Sequence, residues 1–97
     1  MYSKIIGTWK LDPLDIKSQQ VYGDVSLEFK DTGELIYTIH LKDKEQKVFM
    51  TYEIKDNLLL TDQPSNPYKE ETEFRILPNG KLELCFGGIV SQYIKIL

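Results

Sequence analysis

The side chains able to do chemistry are few, and their spacing does not suit catalysis. His40 is the single histidine and Cys85 the single cysteine of the 97-residue chain. A metal centre built on them would have to recruit carboxylates, and neither Cys-x-x-Cys nor His-x-x-x-His spacing occurs, so no metal site is expected. His40 falls on an outward, polar position of an alternating segment. Cys85 lies between Leu84 and Phe86 at the parity opposite to the apolar residues, with no histidine in its hairpin to ionise the thiol. Glu70-Glu71-Thr72-Glu73 could supply a general acid and base. Alternation, however, puts Glu71 and Glu73 on an outer face beside Arg75, which reads as a solvated charged strand. Asn79-Gly80 and Gly87-Gly88 read as hairpin glycines rather than a phosphate cradle, since neither opens a helix. The chain is therefore expected not to be an enzyme, with no catalytic residue and no cofactor.

The composition sets the frame for those residues. Twelve Lys+Arg against 15 Asp+Glu give a net charge of −3, the wrong sign for a nucleic-acid partner. With 41% hydrophobic and 28% charged residues, the chain reads as one globular domain over 1–97. No run approaches the ~20 apolar residues of a membrane span, and no membrane partner is expected. Met1-Tyr2-Ser3-Lys4 leads straight into Ile5-Ile6-Gly7-Thr8-Trp9 without the apolar stretch of a signal peptide, so a cytoplasmic location is expected. The lone cysteine excludes an internal disulfide and agrees with a reducing compartment.

The elements that must position these residues are strands. Val25-Ser26-Leu27-Glu28-Phe29 alternates strictly, and Asp31-Thr32-Gly33, Lys55-Asp56-Asn57 and Pro78-Asn79-Gly80 punctuate further alternating runs. Gln63-Pro64-Ser65-Asn66-Pro67 reads as the longest loop. Matching apolar faces across the turns pairs Phe29 with Leu35, Ile39 with Val48, Ile54 with Leu58 and Ile76 with Leu82. The inward set is then the odd positions of 9–11, 25–29 and 35–39 and the even positions of 48–54, 58–60, 74–76 and 82–86. Two registers are open for the last strand. A two-residue turn at Gly87-Gly88 pairs Phe86 with Ile89 and points Ser91, Tyr93 and Lys95 inward. A three-residue turn pairs Phe86 with Val90 and points Gln92, Ile94 and Ile96 inward, and the two isoleucines favour it. Ile16–Tyr22 reads as a short helix, a lid or an irregular strand. The sum is an all-β fold, a small antiparallel up-and-down β-barrel of about eight strands, whose closure removes exposed edges.

The segment Ile6-Gly7-Thr8-Trp9-Lys10, with its Gly-x-Trp pattern at Gly7 and Trp9, resembles the N-terminal signature of lipocalin-like domains, calycin-type barrels in which the Trp plugs the base. Ser91-Gln92-Tyr93-Ile94-Lys95 stands where that superfamily places a basic residue near the tryptophan. The chain is shorter than secreted lipocalins, lacks their disulfide cysteines and has Lys95 where arginine is more usual, and so looks more like the compact bacterial lipocalin-like domains. The resemblance implies a binding module for a small apolar or weakly anionic molecule, with Tyr37, Tyr52, Tyr93 and Lys95 as candidate ligand contacts. An eight-stranded interior is just wide enough to be filled by side chains or to hold one small ligand. Large residues dominate the inward set, which favours a filled core. The competing class is a protein-interaction domain, such as a bacterial immunity protein that binds and neutralises a toxin. Its candidate surface is an outer cluster of Ile36, Phe49 and Leu59, all off the core parity, on a monomer or weak homodimer.

Overall fold

The computed structural model describes residues 4–63, 69–86 and 88–96. The strands are β1 (Gly7–Leu11), β2 (Val25–Phe29), β3 (Glu34–His40), β4 (Glu45–Lys55), β5 (Leu58–Asp62), β6 (Glu70–Ile76), β7 (Leu82–Phe86) and β8 (Ile89–Lys95). One helix, α1 (Ile16–Tyr22), lies between β1 and β2. Each strand pairs antiparallel with the next, and β1 pairs with β8, so the sheet is a closed up-and-down barrel. The expected loop at 63–67 lies outside the described residues except for Gln63.

The barrel has a packed base and a hollow mouth. At the base, Trp9 is 1% exposed and donates its indole N–H to the Ile5 carbonyl at 2.8 Å, which draws the segment before β1 across the bottom. Ile5, Leu11, Phe29, Phe74 and Leu82 are buried with it in one cluster. Phe29 meets Tyr52 edge-on at 5.2 Å between ring centres, and the Tyr52 hydroxyl donates to the Lys30 carbonyl at 2.6 Å. These contacts give the rings both apolar cover and a partner for each polar atom. The other end carries α1, the 41–44 loop and the β7–β8 turn.

Two of the four expected pairings, Phe29 with Leu35 and Ile76 with Leu82, are observed. The other two differ. Val48 pairs with Tyr37, not Ile39, a slip of two residues that preserves the inward face but brings Phe49 directly opposite Ile36. Lys55 pairs with Leu58 across a two-residue turn at Asp56-Asn57, with Asp56 at φ 58°. That slip is one residue, so Leu59 turns inward and is buried, while Leu58 and Leu60 turn outward. The last strand takes the two-residue turn, Phe86 opposite Ile89, and not the register that Ile94 and Ile96 favoured. Ser91 and Tyr93 are consequently buried. Gly88, at φ 82°, supplies the left-handed backbone that so tight a turn needs.

Replacing Trp9 by alanine removes the central wedge of the base and leaves the space unfilled. The expected cost is about 3–5 kcal/mol, read as a shift in the midpoint of chemical denaturation. A loss under about 1 kcal/mol would show that the base does not depend on this ring.

Candidate functional site

The upper half of the barrel encloses a cavity of about 290 Å³ that opens at the mouth. Apolar side chains, among them Leu27, Leu35, Val48, Met50, Leu59 and Leu84, form its walls. The expectation of a filled core is thus corrected: the large residues pack the base, while the rows above it include smaller polar ones. Thr61, Thr72 and Ser91 put hydroxyls at positions where a core would carry aliphatics. Tyr22, Tyr37 and Tyr93 add phenols, and Gln63 and Glu70 stand at the β5–β6 side of the mouth.

The three phenols sit close enough to sense one another. Burial, then the neighbouring Tyr37 and Tyr22 and the Asp15 carboxylate, raises the Tyr93 hydroxyl far above the ordinary tyrosine value. Burial and then Tyr22 raise Tyr37, and burial raises Tyr22. All three remain neutral hydrogen-bonding groups at neutral pH. Burial also holds the Glu70 carboxyl above its ordinary range. Glu70 is the only cavity-lining residue among those described that ionises at neutral pH, and no Lys, Arg or His joins it.

The residues singled out from sequence fall in different places. Tyr37 and Tyr93 line the cavity. Tyr52 does not; it is engaged in the base with Phe29 and the Lys30 carbonyl. Lys95 pairs across the ladder with Trp9, but its exposed ammonium lies beneath the barrel, 5.5 Å from the Trp9 ring centre and 3.4 Å from the Lys4 carbonyl. The polar, cationic interior spot expected from that register therefore does not form. Of the outer cluster, Phe49 is 60% exposed and faces Ile36, whereas Leu59 is inside the barrel. Glu70 was missed, although it shares parity with Thr72 and Phe74 and was legible as inward on that ground. Tyr22 was missed because the facing of its segment had no strand partner to set it.

The helix reaches the cavity because of what β1 leaves undone. β1 covers only Tyr93–Lys95 of β8, so among the described residues the backbone of 90–92 has no neighbouring strand on that side. The segment after β1 supplies the missing partners. The Asp12 N–H donates to the Gln92 carbonyl at 2.9 Å, and the Gln92 N–H donates to Asp15 Oδ2 at 3.1 Å. The Ser18 hydroxyl lies 3.5 Å from the Val90 carbonyl and 2.9 Å from the Ser91 hydroxyl. Asp15 also caps α1 by accepting from the Ser18 N–H at 3.2 Å, and Gly23, at φ 76°, ends the helix. A seven-residue helix is too short to stand alone, so these contacts hold it. Asp12, 4% exposed, anchors the strap to the end of the β6–β7 turn through Lys81 Nζ at 2.6 Å.

A second polar group lies on the outer wall. Ser26 Oγ is 2.9 Å from His40 Nε2, and His40 Nδ1 is 2.9 Å from Glu45 Oε2. The order matches nucleophile, base and orienting carboxylate. Ser26, however, is mid-strand and paired on both sides, with Lys10 and Thr38, so its backbone is committed to ladders rather than to an oxyanion. Glu45 is half exposed. The group ties β2, β3 and β4 together where they splay toward the mouth. Among the described residues no cluster of three metal-ligating side chains occurs, and no helix is long and apolar enough to cross a membrane. Comparison with protein-family models, curated proteins and solved structures finds no match to this chain.

The strap makes stability acid-sensitive. The Lys81 ammonium and then the Leu14 N–H hold the Asp12 carboxyl below its ordinary range. Burial pushes Asp15 up, but the Gln92 N–H and the Ser18 hydroxyl and N–H outweigh it and hold it low. Both carboxyls therefore bind protons less readily folded than unfolded. Their stabilisation is present above the unfolded value of 3.8 and is lost as pH falls through the folded values. Urea unfolding is expected to show stability declining below about pH 4, with Asp12→Asn less stable near neutrality and shallower on the acid limb. An unchanged acid limb in that variant would remove Asp12 from the account.

Proposed function

We propose that this chain is a non-catalytic, lipocalin-like binding module that takes one small, largely apolar ligand into the mouth of the barrel. The observation that carries this reading is the cavity of about 290 Å³, walled by aliphatic and aromatic side chains with a few converging polar groups. At roughly 30 Å³ per atom, the share of a water molecule in the liquid, such a space takes a ligand of about ten non-hydrogen atoms. The Gly7-Thr8-Trp9 start and the Lys95–Trp9 contact beneath the barrel support the lipocalin-like comparison. A filled base serves this use, because it fixes the walls without occupying the upper half.

Filling the cavity should abolish binding without abolishing the fold. Leu84→Trp is expected to cost about 1–3 kcal/mol in stability and to eliminate binding of a neutral apolar probe such as 2-phenylethanol, followed by NMR titration. Undiminished binding by the folded variant would place the ligand elsewhere.

The interaction reading keeps one observation in its favour, the exposed Phe49 facing Ile36. Phe49→Ala is expected to change stability by less than about 0.5 kcal/mol in thermal unfolding, as exposed positions do. If it also disrupts self-association seen by size-exclusion chromatography, the outer wall is an interface; if association is unchanged, the cavity is left as the functional feature.

A further inference from the structure

We propose that the cavity is an organic-cation site: it takes a small aryl- or alkylammonium whose nitrogen pairs with the Glu70 carboxylate and whose body lies against the aromatic wall. The proposal rests on the binding-module reading and adds the charge of the ligand to it. Two independent features of the lining point the same way.

The first is the charge count. Glu70 occupies an inward position on β6, opposite Thr61 and in the same row as Thr72 and Phe74, and it borders the cavity. None of the other described lining residues is charged at neutral pH, and the nearest residue in sequence with a cation, Lys69, is exposed and absent from the lining. A carboxylate at the edge of a low-dielectric space, with no counter-ion among the described lining residues, favours a ligand that brings the counter-charge and repels one that brings another anion. Burial raises its proton affinity, the direction expected of a carboxylate without a partner cation.

The second is the wall itself. Tyr22, Phe29, Tyr37, Phe86 and Tyr93 contribute five aromatic rings to a space that holds only about ten ligand atoms. Ring faces carry negative potential and attract ammonium groups, most strongly where water is excluded. The phenol hydroxyls stay protonated, so they add acceptor oxygens for N–H groups without adding charge. An anionic head group would meet the same ring faces and Glu70 with the wrong sign. The sequence-based expectation of a weakly anionic ligand needed Lys95, which lies outside the cavity.

The test compares three probes of nearly equal shape: 2-phenylethylammonium, neutral 2-phenylethanol and phenylacetate, each titrated by NMR at neutral pH. The ammonium is expected to bind about tenfold or more tighter than the alcohol, as charge-assisted hydrogen bonds exceed neutral ones, with phenylacetate weakest. Glu70→Gln should erase that preference while leaving alcohol binding within about twofold, and Glu71→Gln, one residue along on the outer face, should leave the preference intact. In the wild type, independently of any variant, the carboxyl-carbon resonance of Glu70 should move with the ammonium and not with the alcohol. Equal binding of ammonium and alcohol, tightest binding of phenylacetate, or equal effects of the two substitutions would overturn the inference while the binding-module reading stands. Failure of all three probes to bind would overturn both.

Discussion

β8 is paired from Ile89 to Tyr93 on one side but only from Tyr93 to Lys95 on the other, and the segment that follows β1 is arranged around the gap this leaves. A backbone N–H or carbonyl left without a partner in a buried position costs about as much as several good contacts gain. β8 runs seven residues, yet β1 reaches only three of them. The remaining groups are met by a carboxylate, a hydroxyl and one main-chain N–H from the segment that leaves β1. Satisfying β8 thus forces the chain over the rim, and forcing it over the rim sets α1 at the mouth with Tyr22 facing the interior. The cavity's shape follows from a hydrogen-bonding debt at a strand edge.

Small barrels face a conflict between stability and hollowness, because a chain of this length buries a modest share of its surface. This barrel separates the two. The bulkiest side chains, Trp9 and Phe29, are fully buried low in the structure, and the Tyr52 ring closes over Phe29. Above them the inward positions of β5, β6 and β8 are Thr61, Thr72 and Ser91, which fill less volume and tolerate contact with water or ligand. These short side chains leave a space that the surrounding rings and aliphatics wall in, which makes a container from a core.

Much of this architecture was legible from alternation alone. Val25-Ser26-Leu27-Glu28-Phe29 and Glu71-Thr72-Glu73-Phe74-Arg75 admit one facing each, and the structure agrees. Leu58-Leu59-Leu60 does not, since both parities are apolar; the two-residue turn at Asp56-Asn57 decides it, and turn length is a property of backbone angles that composition does not encode. Ile94 and Ile96 misled for the reverse reason: they are apolar but face outward or lie past the ladder, as isolated surface aliphatics commonly do. The site was half legible. Tyr37 followed from strand parity, whereas Tyr93 followed from only one of two open registers and not the one that Ile94 and Ile96 favoured. The exclusion of Lys95 required knowing where the barrel ends, and the entry of Tyr22 required knowing that β1 stops short.

The ring closure has a consequence in time. Seven of the eight ladders join strands adjacent in sequence, through short connections or through the α1 segment, and can form as local hairpins. The eighth brings together residues roughly 85 apart, and the loop entropy of such an encounter exceeds that of a ten-residue hairpin by about 2 kcal/mol. The meander is therefore free to assemble progressively as an open sheet, while its two free margins can meet only once most of the curvature is in place. Until they meet, both margins are exposed to any other extended chain nearby, so the interval before closure is when this protein is most open to mispairing.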